Sequence, residues 1–486
     1  MAAAVAGKKD KDTTPPAAVD TLLVLSVTSS TIELGWVAVA DDDDSGDAAA
    51  VYDVRYSTSL ITDANFDSAS TVICDPVPEG SGSPETTTVG DLSEQTEYWL
   101  ALKVRDDAGN WSDLSNVVSA ETKVTPSAEF ALEVVDPLAG PNLTGSLDLA
   151  YDLSDKPKPS IAYKNLQSNP ISVPVRFASW NGTGWDIELI ENLFGSGVDL
   201  AYDPTSGQAT VSYGFRSSTK NATYTLNFAR RIEPNDWSIE IVDDTFDGYG
   251  YKSLAYDPSG KPSISYRLWK YSKTKNPGLK FAYWDGSSWI VEMVDPGVDT
   301  RNNIGNSLAY DPATKEAAIA YLRSETLKFF RRDAETGTWS SQLVKNVSAH
   351  PDWAGGVSLV YDPVSENPSI AFTAVSFDSS GDDMLKFARW DGSTWVIETV
   401  ETCAGCGEGK SLAYAADGTA YISYANYDTR QVKLARRNGP NDWMIETVTG
   451  CVAASPTSLK FDPNGNPSIA YSDYVNDKLK FARVAP

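Results

Sequence analysis

The stretch LKFARWDGSTWVIETVE, residues Leu385–Glu401, decides the fold because the chain repeats it. Residues Leu279–Asp295 read LKFAYWDGSSWIVEMVD, which is the same phrase with conservative changes. The chain ends with LKFARVAP, a copy that has the first half of the phrase and lacks the second. The sequence therefore predicts a repeat architecture whose last copy takes a strand from elsewhere in the chain.

A second marker, Leu-Ala-Tyr-Asp or a close variant, gives the number of repeats. Its aromatic residue recurs at intervals of 47 to 54 residues, at Tyr151, Tyr202, Tyr256, Tyr310, Tyr361, Tyr414 and Phe461. Each copy contains four strand-like segments, of the types SLAYD, SISY, LKFAR and WVIETV, joined by two tight turns and by longer, variable loops. Four short antiparallel strands at this period are typical of propeller blades, so residues 127–486 are predicted to form seven blades.

The missing strand is predicted to lie just before the first repeat. The segment FALEVVDP at Phe130–Pro137 aligns with WIVEMVDP at Trp289–Pro296, which is a fourth strand. We expect 130–137 to form the outer strand of the last blade, beside Leu479–Arg483. A ring closed in this way has no free sheet edge between its first and last blades.

The region before the repeats also reads as all-β. Alternating segments occur at Thr31–Val39, Val51–Ser57 and Tyr98–Asp106, separated by Gly, Asp, Pro and Ser. This region contains Trp36, the segment YDVRYS, and a leucine, Leu92, six residues before Tyr98. With these features, residues 13–123 resemble a bacterial fibronectin type III domain. The resemblance implies a core tryptophan at Trp36 and a tyrosine corner at Tyr98, and such modules act as spacers or binding accessories. The whole chain resembles exported bacterial proteins in which this module precedes a seven-bladed propeller, and that likeness implies no activity.

Composition limits the partners. A hydrophobic content of 41% excludes disorder, and no stretch approaches the roughly 20 apolar residues of a membrane-spanning helix. A net charge of −26 repels phosphate backbones, so we expect neither nucleic-acid binding nor membrane insertion. The start MAAAVAGKKDKD reads like the end of a trimmed export signal, which predicts an extracellular or cell-surface protein.

The four cysteines, Cys74, Cys403, Cys406 and Cys451, are too few for a disulfide scaffold. Cys403 and Cys451 occupy equivalent places in successive repeats, so one of Cys403 and Cys406 is expected to pair with Cys451. We take Cys406–Cys451 as the candidate disulfide, and metal binding by the Cys403/Cys406 pair stays open as the alternative. With a single histidine in the chain, we predict no metal site and no cofactor.

Residue types present in every repeat are interpreted as scaffold. The Asp of the Asp-Pro turns is expected to bond its own turn rather than to catalyse. The charge on each fourth strand is interpreted as a guard against edge pairing. It recurs at Glu133, Glu188, Glu240, Glu292, Glu398 and Glu446.

Subtracting the scaffold leaves residues on the side of the blades that carries the variable loops. There the sequence combines bases, aromatic rings and the sole histidine, a set suited to an acidic polysaccharide. The predicted ligand-binding residues are Arg216, Arg267, Trp269, Tyr271, Arg323, His350 and Trp353.

These features favour a non-catalytic binding or surface-scaffold protein that engages a glycan or another surface protein. No nucleotide-binding loop or catalytic triad is recognisable, and His350 is the one weak candidate for a catalytic base. The first alternative is a polysaccharide lyase or glycosidase, in which His350, a tyrosine such as Tyr249 or Tyr271, and Arg216, Arg267 and Arg323 would meet in an axial pocket. The second alternative is a subunit of an extracellular assembly. The sequence does not indicate an oligomeric state.

Overall fold

The computed structural model divides the chain into two compact units. One comprises Met1–Glu129 with Thr449–Cys451, and the other Phe130–Val448 with Val452–Pro486. The residues described are 12–27, 31–41, 49, 51–72, 78–90, 92–93, 95–122, 130–137, 146–164, 167–168, 171–192, 194–217, 223–245, 252–268, 278–297, 304–323, 326–347, 356–375, 383–403, 405–450, 456–473 and 475–484. Apart from one 3₁₀ turn at Phe66–Ser68, the regular structure of these residues is all β.

The first unit contains two antiparallel sheets. One has the order β1 (Leu23–Val27), β2 (Ile32–Val37), β5 (Pro84–Val89); the other has β4 (Ser70–Thr71), β3 (Val51–Ser57), β6 (Glu97–Arg105), β7 (Val118–Glu121). Trp36 and Tyr52 lie in their shared apolar core, with ring centroids 5.1 Å apart and edge-on. The three segments predicted as strands in this region are therefore strands.

The second unit, here called the repeat region, forms seven four-stranded antiparallel sheets from its described residues. Sheet 1 has β9 (Leu147–Tyr151), β10 (Pro159–Lys164), β13 (Val175–Trp180) and β14 (Trp185–Glu191), with a small hairpin of β11 (Gln167–Ser168) and β12 (Ile171–Ser172). Sheet 2 has β15 (Phe194–Tyr202), β16 (Ala209–Arg216), β17 (Tyr224–Glu233) and β18 (Asp236–Asp243). Sheet 3 has β19 (Lys252–Tyr256), β20 (Pro262–Leu268), β21 (Gly278–Trp284) and β22 (Trp289–Pro296). Sheet 4 has β23 (Ile304–Tyr310), β24 (Ala317–Arg323), β25 (Thr326–Arg332) and β26 (Trp339–Asn346).

The later sheets follow the same order. Sheet 5 has β27 (Ser358–Tyr361), β28 (Pro368–Val375), β29 (Asp383–Trp390) and β30 (Trp395–Cys403). Sheet 6 has β31 (Cys406–Tyr414), β32 (Ala420–Asn426), β33 (Gln431–Gly439) and β34 (Asp442–Thr449). Sheet 7 has β35 (Thr457–Phe461), β36 (Pro467–Asp473), β37 (Lys478–Val484) and, as its fourth strand, β8 (Phe130–Asp136). In each sheet we call these the inner, second, third and outer strands.

Strand β8 therefore lies where the truncated last repeat needs a partner. It runs antiparallel to β37, with Leu132 opposite Ala482 and Glu133 opposite Phe481. The core between sheets 7 and 1 contains Val135 of β8 together with Leu149 and Phe481. The first and last repeats thus pack on each other through this strand.

Neighbouring sheets are joined near their outer strands by aromatic pairs. The third-strand phenylalanine of one sheet meets the outer-strand tryptophan of the next, with ring centroids 5.2 or 5.3 Å apart. The pairs are Phe177–Trp237, Phe228–Trp289, Phe281–Trp339, Phe329–Trp395, Phe387–Trp443 and Phe481–Trp185. The repeated tryptophans are scaffold, as the repeat pattern indicated.

The interpretation of the outer-strand glutamates as edge guards is wrong for five of the six, each of which accepts a hydrogen bond from a tryptophan of the next sheet. Glu188 is buried and accepts hydrogen bonds from Trp237 Nε1 at 3.1 Å and from Arg231 Nη2 at 2.5 Å, both in the next sheet. Glu292 and Glu398 bind the equivalent Trp and Arg of the sheets that follow them. These carboxylates join sheets, and an isolated outer strand would not reveal such a partner.

The inner strands are joined by a ring of side-chain hydrogen bonds that the sequence analysis missed. A Ser or Asp in each inner strand accepts the backbone N–H of a leucine in the neighbouring inner strand, at 2.5 to 3.0 Å. The seven acceptor–donor pairs are Asp148–Leu200, Asp199–Leu254, Ser253–Leu308, Ser307–Leu359, Ser358–Leu412, Ser411–Leu459 and Ser458–Leu149. The sequence did contain a signal for these bonds: in every copy of the Leu-Ala-Tyr-Asp marker, the residue before the leucine is Ser or Asp. We call these seven residues the inner ring.

Strand direction separates two sides of the repeat region. Inner strands end, and second strands begin, at the turns that start with Asp203, Asp257 and their equivalents. Asp203 Oδ1 accepts the backbone N–H groups of Thr205 and Ser206, which supports its expected role in the turn. We call this the turn side, and the opposite side, where second and outer strands end, the loop side. No helix among the described residues has the length and apolarity needed to span a membrane.

Candidate functional site

Three of the predicted ligand-binding residues are described, and all three lie near the loop-side ends of second strands. Arg216 ends β16, and its guanidinium lies 5.8 Å from the ring centroid of Tyr224. Arg323 ends β24, and its Nη1 lies 3.4 Å from Asp295 Oδ2. Arg267 in β20 is only 6% exposed, which restricts direct contact with a surface ligand. These arginines belong to consecutive sheets, 2, 3 and 4, on one side of the repeat region.

The other predicted site residues lie outside the described residues. They are Trp269, Tyr271, His350 and Trp353, together with Tyr249 of the enzyme hypothesis and Cys451 of the candidate disulfide. Their contributions to a ligand site stay predictions.

A polar cavity of about 290 Å³ lies along the inner strands and is lined by residues from all seven sheets. Its described lining includes the inner-ring residues and Lys460. The described lining does not include Arg216, Arg267 or Arg323. It therefore lacks the three arginines that the enzyme hypothesis places in an axial pocket.

Two carboxylic acids lie side by side in this cavity. Asp148 and Asp199 take the places that serine occupies in the other five sheets. Burial, followed by the neighbouring Asp148 charge, raises the pKa of Asp199 well above its usual range, while Lys460 opposes this shift. Asp199 therefore retains its proton at pH values where an exposed aspartate is ionised.

The carboxylates of this pair are used by the inner ring. Asp148 and Asp199 each accept a backbone N–H of the next sheet, as the serines at the equivalent positions do. Their hydrogen bonds are those of structural acceptors.

A second repeated arrangement lies where the outer strand of one sheet meets the next sheet on the loop side. At these contacts, here called joints, an outer-strand carboxylate accepts from a second-strand tyrosine or a third-strand lysine. Asp243 accepts from Tyr266 Oη at 2.5 Å and Lys280 Nζ at 3.0 Å. Glu401 accepts from Tyr424 Oη at 2.6 Å and Lys433 Nζ at 2.8 Å. Asp136 accepts from Tyr163 Oη at 2.6 Å, and Asp295 lies 3.6 Å from Lys328 Nζ.

One group of acidic and thiol side chains could hold a metal ion in the described part of the chain. The ligand atoms of Glu401, Cys403 and Cys406 lie within 4.8 Å of one another, where β30 passes into β31. Two sulfurs and one carboxylate would suit an ion such as zinc. However, Glu401 already accepts from Lys433 and Tyr424, as at the other joints, and that ammonium opposes a cation.

The two thiols also interact with each other. Cys406 Sγ donates to the Cys403 carbonyl oxygen at 3.2 Å, and Asn426 Nδ2 donates to Cys403 Sγ at 3.4 Å. The hydrogen bond from the Cys403 thiol lowers the pKa of Cys406, and the same bond, followed by burial, raises the pKa of Cys403.

Comparisons with known proteins find only distant structural similarity. No protein-family model and no curated protein matches this chain. Among solved structures, the NanB sialidase of Streptococcus pneumoniae aligns at TM-score 0.42 and 9% identity, covering 96% of this chain and 98% of its own. A leech intramolecular trans-sialidase aligns at TM-score 0.38 and 11% identity, covering 96% and 97%. An α-L-arabinanase of Penicillium chrysogenum aligns at TM-score 0.43 and 11% identity, covering 59% and 92%. Scores this low say nothing about what this chain binds or does.

Proposed function

We propose that this chain is an exported, non-catalytic binding protein whose loop side engages a glycan or another surface protein. In this proposal residues 13–123 are a fibronectin type III domain that presents or spaces the binding unit. Residues 127–486 are a seven-bladed β-propeller, with 130–137 as the outer strand of the last blade.

The core of the first unit supports the fibronectin assignment. Trp36 packs edge-on against Tyr52, as a core tryptophan between two sheets should. Tyr98 Oη accepts the backbone N–H of Ser93 at 3.0 Å, and Leu92 is buried in the same core. A tyrosine that bonds back to the backbone a few residues upstream is the corner motif of this domain class.

The inner ring supports a closed propeller of seven blades. Following its acceptor–donor pairs from Asp148 leads through every sheet and returns to Leu149 beside Asp148. Closure through β8 also covers the edge that β37 would otherwise expose.

The observation that carries the binding role is that the repeated polar side chains have structural roles. The outer-strand glutamates join sheets, the turn aspartates bond their own turns, and the two cavity carboxylates serve the inner ring. Recognition is then left to residues that differ between repeats. Arg216 and Arg323 are two of these, on the side that carries the variable loops.

A glycan array probed with the full chain tests the proposal. We expect binding that weakens in Arg216→Ala and persists in Arg436→Ala. Arg436 is a matched control, because its guanidinium lies 6.0 Å from the Tyr421 ring centroid on a third strand, which ends on the turn side. Equal loss in both variants would contradict recognition by the loop side.

Product analysis on the same glycans separates binding from catalysis. New reducing ends or unsaturated products that disappear in His350→Ala would favour the lyase or glycosidase hypothesis over ours. Polymers seen by light scattering, without glycan binding, would favour an assembly subunit.

A further inference from the structure

At one joint of the repeat region the outer-strand residue carries a positive charge. At the joint between sheets 4 and 5, the outer-strand position opposite Leu327 is Lys345. The equivalent residues, opposite Leu279, Leu385 and Leu479, are Asp295, Glu401 and Asp136. Strand register therefore puts an ammonium group where these joints have a carboxylate.

The residues of sheet 5 that face Lys345 also differ from their equivalents at the other joints. The second-strand residue facing this joint is Phe372, where the neighbouring sheets have Tyr321 and Tyr424. The third-strand lysine is kept, as Lys386, at the register of Lys328 and Lys433. The hydroxyl donor has thus been lost together with its carboxylate acceptor, while the cation remains.

The two ammonium groups interact with each other electrostatically. Burial lowers the pKa of Lys386, and the charge of Lys345 lowers it further. Within the described residues neither lysine is in an ion pair, whereas Lys280, Lys328 and Lys433 are. Lys386 Nζ donates to Thr399 Oγ1 at 2.7 Å, which leaves the hydroxyl proton of Thr399 free to donate to an anion.

We propose that the joint between sheets 4 and 5 binds the anionic group of an acidic sugar, a uronate carboxylate or a sulfate ester, between Lys345 and Lys386. The group would take the role of the carboxylate at the other joints, where Lys Nζ lies 2.8 to 3.6 Å from the acid. Lys345 is exposed, so a ligand can reach the joint from solvent. This inference rests on the proposed function and assigns a ligand class to it.

The net charge of the protein favours a sparsely charged sugar over a densely charged polymer or an acidic peptide. At −26 the whole chain repels polyanions, but at physiological salt this repulsion is screened beyond about 8–10 Å. A single anionic substituent responds mainly to the two nearby lysines. An otherwise neutral glycan with one acidic residue therefore fits best.

Titration calorimetry with the full chain tests the site, with a glucuronic-acid-terminated disaccharide as probe. Its neutral glucose-terminated counterpart, inorganic sulfate and an acidic peptide are the other arms. The test variant is Lys345→Glu, which gives the joint the carboxylate–ammonium pair found elsewhere, so the protein is expected to stay folded with an equal or higher Tm. Lys156→Glu is the matched control, since it makes the same charge change at an exposed position in the turn between β9 and β10.

We expect the acidic disaccharide to bind the parent chain and Lys156→Glu, and to lose about tenfold or more in affinity to Lys345→Glu. Lys386→Met should lose binding similarly. Equal affinity for Lys345→Glu and the parent would overturn the site, as would equal binding of the neutral disaccharide or no binding of the acidic one. Binding of inorganic sulfate or the acidic peptide alone would overturn the glycan assignment. Glycan-array binding that depends on Arg216 would still be observed after each of these results. A failure of this site is therefore distinguishable from a failure of the proposed function.

Discussion

Ser458 Oγ accepts the backbone N–H of Leu149 at 3.0 Å, although 309 residues separate them in the chain. The same contact joins each other pair of neighbouring sheets between residues only about 50 positions apart, as Ser307 and Leu359 show. The contact between the last and first sheets is therefore built like the contacts inside the repeat. At the inner strands, the last and first sheets are therefore bonded like any other neighbouring pair.

Substituting inner-ring serines tests this equivalence. Ser307→Ala leaves the Leu359 N–H without its acceptor and should lower the free energy of unfolding by about 1–3 kcal/mol. Ser458→Ala should cost at least as much, because Ser458 Oγ also donates to Asp148 Oδ1 at 2.7 Å. Urea unfolding of the two variants gives both values. A negligible effect at Ser458 with a large one at Ser307 would mean that the ring is open at that point.

Glu188→Ala should be among the more damaging single changes. It leaves Arg231 and Trp237 of the next sheet without their acceptor, and we expect a loss of about 3 kcal/mol, the low end for buried pairs because Arg231 is 27% exposed. Glu240→Ala is the matched control, since Glu240 is exposed and binds Trp289 in an exposed contact. Equal losses in the two variants would show that the Arg231 pair contributes nothing.

The pH dependence of that loss has a definite sign. Burial would raise the pKa of Glu188, but hydrogen bonds from Arg231, Asn235 and Trp237 lower it overall. A lowered folded pKa contributes stability above the ordinary glutamate value of about 4.3, and the contribution disappears as the pH falls through the folded pKa. The difference in stability between the parent chain and Glu188→Ala should therefore shrink on acidification below about pH 4. Chemical unfolding as a function of pH measures it.

Asp199→Ser should have the opposite pH dependence. Burial and then Asp148 raise the pKa of Asp199, so its contribution to stability is complete below the ordinary value of about 3.9 and is lost as the pH rises through the folded pKa. Serine accepts the inner-ring hydrogen bond in five sheets, so Asp199→Ser should keep the bond from the Leu254 N–H. The stability of this variant should fall less steeply with rising pH than that of the parent chain. Asp155→Ser, at an exposed turn, controls for the change in net charge. Parallel pH profiles for Asp199→Ser and the parent would contradict the raised pKa of Asp199.

Ala318→Ser should stabilise the chain. In other sheets a second-strand hydroxyl at this position bonds an inner-strand tyrosine, as Ser263–Tyr310 at 2.6 Å and Ser369–Tyr414 at 2.7 Å show. In sheet 4 the residue is Ala318, and Tyr361 Oη has no such partner among the described residues. The new bond should add about 0.5–1.5 kcal/mol to the free energy of unfolding.

Ala388→Ser is the control for that gain. It buries a hydroxyl at a third-strand position where sheet 6 has Ala435 and sheet 7 has Ala482, so the equivalent positions of these sheets carry no hydroxyl and the change should destabilise the chain. Thermal unfolding compares the two variants. If both variants were more stable than the parent chain, or if neither were, the role assigned to the Tyr361 hydroxyl would be wrong.

Sequence reasoning found the strands because their pattern is local. The repeat phrase located all four strands of each sheet, and the alignment of Phe130–Pro137 with Trp289–Pro296 pointed to β8. The role of Glu188 was misjudged because its partners, Arg231 and Trp237, lie in the next sheet. The reversed charge at Lys345 was overlooked for the same reason, since it has meaning only beside Lys386 and Phe372. A loop site depends on the conformation of variable segments, which no repeat pattern specifies.

Hydrogen exchange measured by mass spectrometry on the full chain tests ring closure most directly. If β8 is the outer strand of sheet 7, the amides of Phe130–Asp136 and Lys478–Val484 are protected to the same degree as the matching pair Trp289–Pro296 and Gly278–Trp284 of sheet 3. Both segments of sheet 7 should also lose protection together on addition of denaturant. Exchange of Phe130–Asp136 at the rate of an unstructured peptide, while sheet 3 stays protected, would contradict the closed ring.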